Sequence, residues 1–335
     1  MINLVEEMKL ELDRELQKQI ARLNQPCAGT FIEMLTYHMG WSGEGSGTAA
    51  GGKRIRPILL LLVNHACKMD WRKALPAAAA VELTHNFSLV HDDIQDRSDK
   101  RHGRDTVWIK WGVPMAINAG DALFVISNQA MQDLHINFPA QTVLKAWGVL
   151  QTNCLSLTIG QYLDMSFQGR TDLTLEKYWC MVDGKTAALL STCTYLGSIL
   201  SDVSEAVQEE YRLFGFHLGR AFQVQDDVLG IWGNPDRTGK PTGSDLLDKK
   251  NSLPVISGLS KQGKFAGVWT SGIKSSEDAE HAAGLLKEEG VLQSAEEIAR
   301  EESEIALTHL RHASPSSEAG EALNEIVSKL TGRQS

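Results

Sequence analysis

The stretch Val81-Glu82-Leu83-Thr84-His85-Asn86-Phe87-Ser88-Leu89-Val90-His91-Asp92-Asp93-Ile94-Gln95-Asp96 carries apolar residues at three- and four-residue intervals and closes on three aspartates. That spacing is a helical stripe, not the alternation of a strand. Far along the chain, Phe222-Gln223-Val224-Gln225 runs in the same way into Asp226-Asp227-Val228-Leu229-Gly230. Residues four apart share a helix face, so Asp92 and Asp96 point together with Asp93 beside them. If the two helices face each other, five carboxylates are offered to one cavity. At about 5 Å and an effective dielectric of about 20, each carboxylate pair repels by roughly 3 kcal/mol, so such a cluster needs cations. Oxygen-only ligands at helical spacing suit Mg²⁺, which keeps several waters and bridges to substrate phosphates. The pattern predicts a site that ionises or transfers a phosphorylated substrate.

The rest of the chain has the same period. Helices are expected at about 2–24, 28–40, 56–69, 73–96, 114–135, 139–168, 174–200, 204–230, 251–261, 276–288, 292–313 and 317–331, and no strand pattern is sustained. Pro57, Pro76 and Pro114 fall where a first-turn proline is tolerated. The fold class is all-α, a single large helical bundle with a central cavity. No linker or compositional break divides the 335 residues, so one domain over 1–335 is expected. With 42% hydrophobic and 22% charged residues the chain can bury a sizeable core.

The net charge of −9 argues against nucleic acid or an anionic membrane surface as the main partner. No apolar run approaches the roughly 18 residues of a membrane span, and residues 1–24 lack the apolar core of a signal peptide. A cytoplasmic location follows. Cys27, Cys67, Cys154, Cys180 and Cys193 form no CxxC pair and read as reduced core residues.

Basic residues accompany the acidic segments. Gly51-Gly52 leads into Lys53-Arg54-Ile55-Arg56, where glycines let backbone N–H groups approach an anion and arginine can grip a phosphate bidentately. Arg97, Arg101, His102 and Arg104 follow the first acidic segment. Beyond them come Gly160-Gln161-Tyr162-Leu163-Asp164, Gly184-Lys185-Thr186, Lys240 and Lys249-Lys250. The loop from Gly233 to Asp245 has the composition of a mobile flap.

This ordered set resembles the trans-type isoprenyl diphosphate synthases, the polyprenyl synthetase family. That family is marked by a GGKRxRP block, a first DDxxD followed by a basic pair and Gly, a GKT block, and a second aspartate-rich motif after FQ. The match spans Gly51 to about Pro254. The resemblance implies condensation of an allylic diphosphate (dimethylallyl, geranyl or farnesyl) with isopentenyl diphosphate, releasing inorganic diphosphate, in a homodimer. It implies that Asp92, Asp96 and Asp226 bind three Mg²⁺, while Asp93 and Asp227 act as ligands or orient metal-bound water. Arg101, Lys185 and Lys240 would hold the allylic diphosphate. Lys53, Arg56, His85 and His102 would hold isopentenyl diphosphate, and Gln161 and Lys250 would line the substrate site. Thr186 and Gln223 would face the allylic cation. A leaving group that gains charge needs preorganised cations, whereas the carbocation needs weak dipoles and no water. The loop carrying Lys240 would be the lid.

Two positions depart from the family pattern. His102 stands where a second arginine is usual, and imidazole offers less charge and no fork. Gly230 stands where the second motif usually ends in Asp, with little loss expected because Asp226 is the usual ligand. If the product lies along the helix ending in Asp92, Ser88 lies about 6 Å below that residue and Thr84 about 12 Å. Phe87, rotated by about 140° from Asp92, narrows one side. An aromatic five residues before the motif with a small residue at four resembles synthases making geranylgeranyl diphosphate (C20), with farnesyl diphosphate (C15) next.

The alternative readings are a class I terpene cyclase, disfavoured by Lys53, Arg56 and His85, and a non-catalytic subunit of a heteromeric synthase. His91, Trp108 and Trp111 are read as structural. Glu296, Glu297, Arg300, Glu301 and Glu302 are read as one solvated helix face.

Overall fold

The computed structural model describes residues 3–23, 25–47, 50–234, 242–315 and 317–332. They are overwhelmingly helical, as the periodicity requires: α1 Leu4–Ile20, α2 Gly29–His38, α3 Ile55–Ala66, α4 Leu75–Gln95, α5 Val107–Trp111, α6 Val113–Gln132, α7 Ala140–Phe167, α8 Leu175–Val182, α9 Ala188–Ile199 and α10 Glu205–Trp232. Further helices run over Ser244–Leu247, Leu253–Ser260, Lys264–Ser271, Ser276–Glu288, Val291–Ala313 and Ser317–Thr331. The chain divides into two compact units, Met1–Gln151 with Leu196–Val203, and Thr152–Tyr195 with Ser204–Ser335.

In the first unit α3 is apolar on every side through its middle, Pro57 to Val63, and Leu59, Leu60, Leu61, Leu62 and Val63 are wholly out of water. A helix of that kind is a core element, each such side chain contributing about 1.5–3 kcal/mol. Helix α4 packs against α3 and α6, with the small residues Ala77–Ala80 letting the backbones approach. Its Pro76 occupies the first turn, as does Pro114 in α6.

The basic block before α3 is split by burial. Arg54, in a left-handed conformation at φ 52°, turns its guanidinium inward to Glu82 Oε1 at 2.6 Å and to the Met39 carbonyl at 3.2 Å. The side chains of Arg54 and Glu82 are only 6% and 5% exposed. Asn86 Nδ2 also donates to Glu82 Oε1, at 2.9 Å. Lys53 stays exposed and Arg56 half-buried.

In the second unit α10 pairs along its length with Val291–Ala313. Tyr178 and Val182 of α8, Val224 and Val228 of α10, Leu253, Ala295 and Ala299 form one core cluster. Phe265, Trp269, Ala279, Leu286 and Val291 belong to another.

Several elements differ from the sequence expectation. A two-stranded hairpin pairs Lys100–Arg101 with Arg104–Asp105, and its two turn residues, His102 (φ 50°) and Gly103 (φ 77°), both take positive φ. That is the type I′ requirement of a two-residue hairpin. Segment 174–200 is not one uniform helix: α8 passes into α9 through a π-helical turn at Asp183–Ala187. The short α5 and the helices Ser244–Leu247 and Lys264–Ser271 are additional. Glu302 leaves the solvated face assigned to it and accepts from His217 (2.6 Å) and Arg220 (3.4 Å). None of the five cysteines is in a disulfide, but only Cys154 and Cys193 are buried; Cys27 and Cys180 are exposed.

The Arg54–Glu82 pair yields a test. Arg54→Ala leaves a buried carboxylate without its cation and is expected to cost about 3–5 kcal/mol, whereas the apolar double variant Arg54→Met/Glu82→Leu recovers most of that loss. Urea unfolding midpoints check both; a single variant within about 1 kcal/mol of the parent would show the pair to be dispensable.

Candidate active site

In the first unit the last turn of α4 and its C-cap carry the acidic motif, and the hairpin follows it. The four-residue spacing puts Asp92 and Asp96 on one side, half-buried and exposed respectively. Asp93 points the other way and is 2% exposed. Arg101 Nε donates to both its oxygens, at 2.9 and 3.1 Å, and Arg101 Nη2 lies 2.8 Å from Oδ1. Burial pushes the Asp93 carboxyl up, and the Arg101 hydrogen bonds work against it. Asp93 is thereby a brace between helix and hairpin.

No basic residue occupies the last turn of α4. Carboxylates there face the negative end of the helix dipole, a penalty of about 0.3–1 kcal/mol each that a bound cation removes. Exposed, hard oxygen donors of this kind fit a divalent ion such as Mg²⁺.

The basic side of this unit is built from arginine and neutral histidine. Arg56 Nη1 lies 3.3 Å from His85 Nε2. Guanidinium can only donate, so Nε2 accepts and the proton sits on Nδ1. Burial, then the charges of Arg56, Arg101 and Arg54, hold His85 well below the usual imidazole range. The same causes bring His38 down to about 3, burial first and then Arg101 and Arg54. His102 is exposed as a residue, yet partial desolvation of its ring, Arg101 and Arg54 lower it too. His38, Asp93, Arg101 and His102 line one small cavity of about 20 Å³, room for about one water.

Below the motif, Phe87 meets Phe124 edge to face at 5.0 Å. Ser88 turns its hydroxyl back onto the His85 carbonyl (2.8 Å), and Thr84 donates to Ser127 Oγ (3.2 Å). Their polar atoms are therefore satisfied within the protein.

In the second unit two glycines decide the geometry. A Cβ at Gly160 would come within 2.2 Å of Lys185 N, and one at Gly184 within 2.7 Å of the Ser156 carbonyl. Only glycine lets α7 and the π-helical turn touch backbone to backbone. That approach brings Lys185 into an ion pair with Asp164. Gln161 lies half-buried on the same helix. Thr186 Oγ1 donates to Gln223 Oε1 (2.6 Å), and Gln223 Nε2 donates to Asp227 Oδ1 (2.8 Å).

Asp227 repeats the behaviour of Asp93. It is 6% exposed and accepts from Tyr178 Oη and the Leu253 backbone N–H, both at 2.8 Å, besides Gln223. Burial pushes its carboxyl up to about 7 against the pull of those donors. Asp226 beside it is exposed.

Gly230 has a steric explanation. A Cβ there would lie 2.0 Å from Asp245 Oδ2, so the carboxylate of Asp245 occupies the space beside this position. Lys250 Nζ lies 3.4 Å from Asp245 Oδ1; burial pulls its ammonium down, but Asp245, Asp248 and Asp164 more than offset this and raise it. Asp245 was missed from sequence because it belongs to no DDxxD spacing, and Tyr178 and His38 because nothing marks them. Lys240 lies outside the described residues.

The all-α chain has the isoprenoid synthase fold of its structural neighbours. The polyprenyl synthetase family profile matches residues 46–286. A geranylgeranyl diphosphate synthase of Mycobacterium tuberculosis is 37% identical over 317 residues, 92% of this chain and 89% of that relative. The solved geranylgeranyl pyrophosphate synthetase from Pyrococcus horikoshii is similar at TM-score 0.90 and 30% identity, over 98% of this chain and 97% of that one. A polyprenyl synthase from Caulobacter crescentus, complexed with calcium and isoprenyl diphosphate, is similar at TM-score 0.84 and 26% identity, over 99% and 97%. The chain belongs to the polyprenyl synthetase family, and it is a short-chain trans-prenyltransferase.

Restoring the usual aspartate tests the Gly230 reading. Gly230→Asp is expected to cost about 1–3 kcal/mol by overpacking against Asp245 and to leave turnover no higher than the parent's. Calorimetry and steady-state kinetics check it; a tenfold gain in kcat would show that the missing carboxylate is needed.

Proposed function

We propose that the chain elongates an allylic diphosphate with isopentenyl diphosphate by head-to-tail 1′–4 condensation, with geranylgeranyl diphosphate the main product and farnesyl diphosphate next. The observation that carries this is the set of motif blocks, in family order, in a chain whose family match spans residues 46–286. Asp92, Asp96 and Asp226 are the metal ligands, for three Mg²⁺ when diphosphate is present. Their assignment to one substrate rests on the family pattern. When bound, the ions supply positive charge to the departing diphosphate. Calcium in the related Caulobacter structure supports an oxygen-donor divalent site.

The inward carboxylates of Asp93 and Asp227 make positioning the better role for both. Arg101, Lys185 and Lys240 hold the allylic diphosphate. Lys53, Arg56, His85 and His102 hold isopentenyl diphosphate, His85 as a neutral donor through Nδ1. Gln161 and Lys250 complete the lining. Thr186 spends its hydroxyl proton on Gln223, so it has only lone pairs to offer, the correct polarity beside an allylic cation. Phe87, Ser88 and Thr84 set product length. Exposed Met115, Ile117 and Val125 on α6, and Leu155, Ile159 and Tyr162 on α7, support a homodimer.

Labelled isopentenyl diphosphate with C5, C10 and C15 primers, followed by chromatography of the alcohols, tests the reaction with the purified chain alone. C20 is expected with Mg²⁺, none after chelation, and shorter chains from Ser88→Phe. Products mainly beyond C25 would overturn the steric reading, and inactivity of the chain alone would favour a non-catalytic subunit.

His102 gives a pH test. Its lowered pKa means the charged ring is present only on the acid side of about 6.5. The KM for isopentenyl diphosphate is expected to rise as pH climbs through that acidic window, then level off; His102→Arg should lower KM and flatten the profile. An identical profile in the variant would remove His102 from the site.

A further inference from the structure

Sixteen residues before Asp226 on α10, about 24 Å along the axis, Glu210 meets two histidines from the C-terminal end of the helix Val291–Ala313. His309 Nδ1 lies 2.7 Å and His312 Nδ1 3.5 Å from the same Glu210 Oε2. One donor atom from each of the three falls within 4.8 Å of the others, and no other trio of His, Cys, Asp or Glu among the described residues is grouped in this way. The two histidines are three apart and so share a helix face. His312 is 61% exposed, so solvent ions reach the group.

The surroundings orient it. The His217 ring stacks on His309 with centroids 5.6 Å apart and planes 14° from parallel. His217 is itself tied to Glu302, which also pairs with Arg220. Packing of this kind fixes the ring of a metal-binding histidine before the metal arrives.

We infer that Glu210, His309 and His312 bind a borderline divalent transition ion, of the Zn²⁺ class, at a site separate from the acidic motifs, where it ties α10 to the helix Val291–Ala313. Two imidazoles and one carboxylate select such ions over Mg²⁺. Bonds of about 2.0–2.2 Å in tetrahedral geometry place donor atoms about 3.3–3.5 Å apart, a spacing the present 2.7 and 3.5 Å bracket. The carbonyls at the helix C-terminus favour a cation there. Binding displaces the proton that now lies between His309 and Glu210, and a solvent water fills the fourth position.

Equilibrium dialysis of the full chain against micromolar Zn²⁺ in millimolar Mg²⁺, with metal counted by atomic emission, tests this. The parent is expected to retain one more Zn²⁺ per chain than His312→Ala or Glu210→Gln, since any ion held by the acidic motifs is common to all three. Zn²⁺ should raise the parent's Tm by about 3–6 °C and the variants' by less than a third as much. His312 is exposed, so His312→Ala keeps the fold, and its Mg²⁺-dependent prenyl transfer should equal the parent's. Equal Zn²⁺ content in parent and variants, or no retained Zn²⁺ in any, would overturn the inference and leave the trio a hydrogen-bonded cluster.

Discussion

Each acidic motif depends on one constraint: successive residues of a helix are rotated by about 100°, so two adjacent aspartates cannot face the same way. In both motifs the first carboxylate looks outward and the second is buried. A buried carboxylate needs donors, and each motif takes them from a different chain segment. Asp93 draws in Arg101 and with it the hairpin; Asp227 draws in the Leu253 N–H at the start of a helix, Tyr178 and Gln223. The inner aspartate thus fastens neighbouring elements to its helix, while the outer one lies nearer to solvent.

Close packing does the same work for Lys185 and Thr186. Their orientation comes from a π-helical turn that only Gly160 and Gly184 permit, because any Cβ at either position would run into backbone. Such turns recur at functional sites because they re-aim side chains without ending a helix.

How much of this was legible in the sequence follows from range. The helices were, because a 3.6-residue period is a local signal; α4 and α10 carry it up to the motifs. Pro76 and Pro114 mark two helix starts for the same reason. The hairpin was not, because two residues per strand are too few for alternation, although His102-Gly103 holds the positive φ that its turn demands. The split of the basic block was also hidden. Lys53, Arg54 and Arg56 look equivalent until Glu82, twenty-eight residues after Arg54, claims the middle one. Glu302 read as surface because its partners His217 and Arg220 lie over eighty residues away.

Position 230 shows the same limit from the other side. In sequence, Gly230 reads as a lost carboxylate; in space, the carboxylate of Asp245 stands against it. Two negative groups cannot share that space without a large cost, so an aspartate at 230 and the present place of Asp245 are alternatives. The histidines follow a similar logic of exclusion. Burial first, and then the fixed charges of Arg54, Arg56 and Arg101, lower the imidazoles packed among them. Replacing the usual second arginine by His102 therefore removes charge but keeps a hydrogen-bonding ring. That leaves the fixed positive charge around these rings to the arginines, and puts a pH-sensitive contribution at the exposed turn of the hairpin.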